Sequence, residues 1–195
     1  MTAEQYIELE RAAEFRHFFY HGEMRAMPVN PVRNALIGTN LSGNLWGALR
    51  GRSCFLGAFD MRTRVTTGFI TYPDIVAVCG EAKFADGRRD TLLNPSLIIE
   101  VLSPSTEAHD RGFKAQQYRQ VESLQEYALV SQSEARIEVF RRQEGGTWLL
   151  TEAVGLDAVC RFESVESSVA LAEVYDKVAF DAEEPPLRPP APQGD

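Results

Sequence analysis

This chain is short of cysteine, of basic charge and of long apolar runs, and each shortage removes a class of protein. Three cysteines among 195 residues, Cys54, Cys79 and Cys160, are odd in number and lie far apart. That excludes a small secreted disulfide scaffold, fits a zinc cluster poorly, and points to reduced thiols in a cytoplasm. No stretch of about 18 apolar residues exists, so no transmembrane helix is expected. The opening Met1-Thr2-Ala3-Glu4-Gln5 lacks the basic-then-apolar order of a secretory signal. Internal repeats, glycine-rich phosphate loops and a Ser-His-Asp pattern are all missing. Gly38, Gly43 and Gly47 sit inside a helical pattern and read as close-packing positions. The net charge of −8 works against simple duplex binding, because such affinity comes largely from cations that neutralise phosphates. Some of that acidity is local to residues 181–195, and the pairs Arg62/Arg64, Arg88/Arg89 and Arg141/Arg142 offer basic faces elsewhere.

The most informative feature present is Leu97-Ile98-Ile99-Glu100-Val101-Leu102, a branched apolar run with one carboxylate in its middle. Asn94-Pro95 precedes it and Ser103-Pro104-Ser105-Thr106 follows, so it reads as a core strand. A carboxylate stripped of water must be neutralised, paired or given a cation. For Glu100 the alternatives are a core salt bridge, with Lys114 as one partner, or a metal site. A second apolar run, Ile75–Cys79, has Asp74 at its start, just after Tyr72-Pro73. Asp74 either caps a turn after Pro73 or, if the two runs pair, converges with Glu100. Two hard oxygen ligands with open water positions suit Mg²⁺.

The segment Asp110-Arg111-Gly112-Phe113-Lys114-Ala115-Gln116-Gln117-Tyr118 follows, with Asp110, Lys114 and Tyr118 at four-residue steps and hence on one helix face. Lys114 can reach the carboxylates, where it would balance charge, orient a water or stabilise charge growing on a phosphate. Asp110 has an alternative use as the N-cap of that helix, and Tyr118 as a core residue. Glu14 and Glu23 are further candidates to supply a carboxylate from the N-terminal region. His17 and His21 have helical metal-ligand spacing, but the aromatic residues around them favour a structural role.

Taken together, Tyr72-Pro73-Asp74, Asn94-Pro95, Ile99-Glu100-Val101-Leu102-Ser103-Pro104-Ser105-Thr106, Asp110 to Lys114 with Tyr118, and Leu124-Gln125-Glu126-Tyr127 resemble the Uma2 (DUF820) family. That family lies in the PD-(D/E)XK nuclease superfamily of restriction-endonuclease-like proteins. The resemblance spans most of residues 1–176. It implies that Asp74 and Glu100 are metal ligands, with the Val101 carbonyl as a further one, and that Asp74, Glu100 and Lys114 are catalytic. The superfamily lysine normally stands two residues after the glutamate, where this chain has Leu102, and Lys114 is its natural substitute. Family members often carry a histidine where this chain has Asn34. The implied activity is a Mg²⁺- or Mn²⁺-dependent endonuclease cutting nucleic acid, most readily DNA. The rival reading is an inactive nuclease-fold module for protein interaction. In either case a homodimer without membrane attachment is expected.

For organisation, the patterning predicts helices over 2–20 and 32–50 and strands over 54–59, 62–65, 75–79 and 97–102. A long polar loop, of a length that is usually functional or mobile, is predicted between residues 80 and 94. After the Lys114 helix come strands over 127–131, 136–142 and 147–154, the last two forming a hairpin turned at Gly145-Gly146, and a short helix near 171–175. This is a single α/β (α+β) domain over residues 1–178, a mixed sheet flanked by helices. A Pro-rich acidic tail, 179–195, is expected to be disordered.

Overall fold

The computed structural model describes residues 1–28, 31–66 and 68–180. Helix α1 (Ala3–Ala12) starts at a capping box. The Thr2 side chain accepts from the Gln5 amide at 3.2 Å, and the Gln5 side chain accepts from the Thr2 amide at 2.8 Å. The helix does not run on to residue 20 as the pattern predicts. His17–Tyr20 is strand β1, paired antiparallel with β2 (Glu23–Ala26). The aromatic run prefers a pleated surface, where Phe19 is buried and stacks on Tyr6 of α1 at 5.4 Å.

Helix α2 (Val32–Leu49) buries the stripe Ile37, Leu41, Leu45 and Leu49. Of its three glycines, only Gly38 is a close-packing position: a Cβ there would lie 2.8 Å from the Phe59 ring, whereas Gly43 and Gly47 meet nothing within 4 Å. The next strands are β3 (Cys54–Ala58), β4 (Arg62–Thr66), β5 (Phe69–Thr71), β6 (Ile75–Cys79), β7 (Thr91–Leu92) and β8 (Leu97–Val101). A helix then runs as α3 (Glu107–His109), a π-helical turn (Asp110–Lys114) and α4 (Ala115–Tyr118). The chain ends in β9 (Glu126–Val130), β10 (Arg136–Arg142), β11 (Trp148–Val154), β12 (Val159–Phe162), β13 (Ser167–Ala170) and α5 (Leu171–Val174).

Among the described residues the strands form three sheets, where the sequence pattern leads one to expect a single one. The largest has the order β11-β10-β9-β8-β6-β3, with β8 antiparallel to β6 and parallel to β9. All five residues of β8 are buried, which explains why it is apolar on both faces apart from Glu100. One face of this sheet packs against α2 and α5. The other packs against the crossover helix through Ala115, Tyr118, Val121 and Leu124. The second sheet, β2-β1-β5-β4-β7, and the β12-β13 pair were partly hidden because β5, β7, β12 and β13 are short. The class stands: a single α+β domain with a mixed sheet between helices.

Two expectations are corrected. Cys54 and Cys79, opposite each other in the β3–β6 register, form a disulfide, so only Cys160 is a free thiol. Antiparallel pairing brought together residues 25 apart, and the argument for a reducing compartment loses two of its three cysteines. The 80–94 loop is also not loose. Arg11 holds both Asp86 and Asp90 at 2.7 Å, and Arg62 holds Asp90 at 3.0 Å. The tail expected to be disordered lies outside the described residues from 181 onward.

Candidate functional site

The antiparallel register places Ile75 opposite Ile99, so Asp74 and Glu100 are next to each other one step beyond that pair. Asp74 Oδ2 accepts a 2.7 Å hydrogen bond from the Val101 amide, which fixes the aspartate at the end of β8. Its own carbonyl accepts from the Phe59 amide at 2.7 Å. Asp74 and Glu100 line one cavity of about 80 Å³ together with Val101, Asn34, Asp110 and Lys114. A water in the liquid takes about 30 Å³, so this space suits a cation with a few waters.

The crossover helix delivers the rest. Lys114 Nζ lies 3.0 Å from Glu100 Oε1 and 2.8 Å from Asp110 Oδ1, and the Tyr118 hydroxyl donates to the same Glu100 oxygen at 2.6 Å. The shared face expected from four-residue spacing therefore exists. Both donors fall on Oε1, so Glu100 is held in one orientation. Asp110 is not an N-cap. The helix begins three residues earlier, and Asp110 lies inside it, 2 % exposed, as a partner of Lys114. Leu102 is buried in the core, and the ammonium beside Glu100 is that of Lys114 from the helix.

Burial and mutual charge shift the groups of this site from their ordinary ranges. Burial is the largest influence on Glu100 and, with Asp110 and Asp74, pushes its carboxyl up to about 8 against the pull of Lys114 and the Tyr118 hydrogen bond. Burial alone would lower Lys114, but Glu100 and Asp110 outweigh it and hold the ammonium above its usual range. Burial and Lys114 keep His109, also in the lining, below the ordinary histidine range. Arg16, the remaining cation of the lining, turns to the Phe59 carbonyl at 2.5 Å and Asp60 at 3.3 Å.

The donor set fits a hard divalent cation. It offers two carboxylates and a backbone carbonyl, and carboxylates outnumber cations in the lining. Among the described residues no group of three or more His, Cys, Asp or Glu is placed to hold a metal ion, so a cation here would depend on the two carboxylates, the carbonyl and water. The Val101 carbonyl already accepts the Asn34 amide at 2.6 Å, using one of its two lone pairs. Asn34 Oδ1 is buried without a hydrogen-bond partner. Asn34 thus enters the site on its own terms, as the anchor of that carbonyl.

Glu14 and Glu23 do not enter it. Both are exposed, neither lines the cavity, and Glu23 pairs with Arg25. His17 binds Glu10 at 3.0 Å, and Glu10 in turn accepts from the Tyr72 hydroxyl at 3.0 Å, which braces the Tyr72-Pro73-Asp74 segment. Sequence reasoning missed Arg16, Phe18 and His109 as lining residues. They lie far from the motif or beside it with no pattern to mark them.

Residues 3–172 match the family profile described as Uma2: Putative restriction endonuclease. Two curated relatives come from Synechocystis sp., the uncharacterized proteins slr1290 and sll1609. The first is 31% identical over 183 residues, covering 92% of this chain and 94% of the relative. The second is 32% identical over 163 residues, covering 83% and 92%. A crystal structure of a putative nuclease belonging to DUF820 from Anabaena variabilis shares the fold. Its TM-score is 0.72 at 15% identity, over 92% of this chain and 99% of that one.

Proposed function

The chain belongs to the Uma2 family, and from that premise we propose that it is a Mg²⁺-dependent (or Mn²⁺-dependent) endonuclease that hydrolyses phosphodiester bonds of nucleic acid, DNA first among its substrates. The observation that carries this reading is the convergence of Asp74, Glu100 and Lys114 on one cavity in which carboxylates are in excess. Asp74, Glu100 and the Val101 carbonyl would hold the cation, which when bound would lower the pKa of a water and offset charge at phosphorus. Lys114 reaches over Glu100 to orient the attacking water and neutralise the phosphate oxyanion. Tyr118 and Asn34 keep Glu100 and the Val101 carbonyl in place.

Cleavage of a labelled oligonucleotide in the presence of Mg²⁺ tests this directly. Asp74→Ala and Glu100→Ala each abolish cleavage with an unchanged circular-dichroism spectrum, and retained cleavage in both rejects the mechanism.

For assembly we propose a homodimer joined at the outer edge of the six-stranded sheet. There β11 leaves Leu149, Leu150 and Val154 exposed on an edge unpaired among the described residues, the kind that invites pairing with another chain. Sedimentation gives a dimer for the wild type and a monomer for Leu150→Lys. A monomeric wild type contradicts it.

A further inference from the structure

The rim of the carboxylate cavity bears on which form of nucleic acid reaches it. Glu100 and Asp110 are each 2 % exposed, so the charged groups lie at the bottom of a recess. The space beside these groups, about 80 Å³, takes an ion with a few waters. A phosphate that approaches it brings its sugar and base to the rim. The rim itself is aromatic. Phe18 is half-buried and His109 is exposed, with ring centroids 6.4 Å apart, and both line the cavity. His109 is held by stacking on Phe113 at 4.9 Å. Met27 and Pro28 continue the apolar lining. The charge of −8 gives little of the phosphate neutralisation on which duplex binding depends.

These features suit a ligand that offers a base face as well as a phosphate. We propose that the substrate is an unpaired strand, one base of which stacks on the Phe18–His109 rim while the adjoining phosphate enters the recess. In a duplex every base face is already stacked, so the rim has nothing to take. This proposal rests on the phosphodiesterase reading above and narrows its substrate.

The test uses fluorescent oligonucleotides of about twelve nucleotides, within the span that such grooves bind. Single-stranded DNA, single-stranded RNA and duplex DNA of one sequence are compared by anisotropy in Ca²⁺ and by cleavage in Mn²⁺. The single strands bind about tenfold or more tighter than the duplex and are cut correspondingly faster. Phe18→Leu and His109→Ala each weaken single-strand binding about fivefold or more, the scale of one lost base stack, while Mn²⁺ affinity measured by calorimetry stays at the wild-type value. The DNA and RNA arms decide which sugar is accepted. Duplex bound as tightly as single strands, or both variants binding like wild type, overturns the unpaired-strand proposal alone. A wild type that takes up no Mn²⁺ overturns the phosphodiesterase reading and this proposal with it.

Discussion

Glu100 ties the fold to pH. Its carboxyl, ordinarily near 4.5, is pushed up to about 8 in the fold, mainly by burial. The unfolded chain therefore releases this proton first as pH rises. The stability tied to it is fully present below about 4.5 and is lost as pH climbs through about 8. Thermal melting of metal-free protein should fall across that window, by an amount on the order of a few kcal/mol. Glu100→Gln should flatten the profile, and saturating Mg²⁺ should restore stability at the alkaline end. An unchanged slope in Glu100→Gln would show that another group titrates. The demand for a partner was legible in the sequence, since a lone carboxylate in a branched apolar run must be matched. The role of Asp110 was not, because the helix starts at Glu107, ahead of its expected start, and so turns an expected cap into a buried partner of Lys114.

At the scale of elements, the site depends on how closely α2 approaches the end of β3. Gly38 faces the Phe59 ring, and the Phe59 amide holds the Asp74 carbonyl. Phe59 has a left-handed φ of 61°, a backbone conformation few non-glycine residues adopt. Gly38→Ala places a Cβ 2.8 Å from the ring and should cost about 1–3 kcal/mol in denaturant melts, in the range of overpacked cores. It should also weaken metal uptake, whereas Gly43→Ala, in open space, should do neither. Equal behaviour of the two would remove the link between α2 and Asp74. Patterning identified α2, β6, β8 and the β10–β11 hairpin, where periodicity or turn glycines are unambiguous. It failed at β1, where aromatic residues at near-helical spacing belong to a strand, and at the two- to four-residue strands whose partners lie far along the chain.

Across the whole molecule, long-range pairing decides what sequence could not. The β3–β6 register joins Cys54 to Cys79, and the Arg11 contacts pin a loop some 75 residues away. Replacing both cysteines with serine should cost about 3 kcal/mol in chemical denaturation, on the loop-entropy scale for a closure of this length. The same loss is expected on adding reductant to the wild type. No effect of reductant would mean that the two sulfurs are not joined. The overall acidity predicts a shallow salt dependence of strand binding, with few phosphates neutralised.

The central claim is that a divalent cation sits where β6 begins and β8 ends, and the most direct measurement is anomalous diffraction from crystals soaked in Mn²⁺. The account predicts a peak bonded to carboxylate oxygens of both Asp74 and Glu100, with Lys114 within hydrogen-bonding reach of a metal-bound water. A peak bonded to neither carboxylate, or none at saturating Mn²⁺, would contradict it.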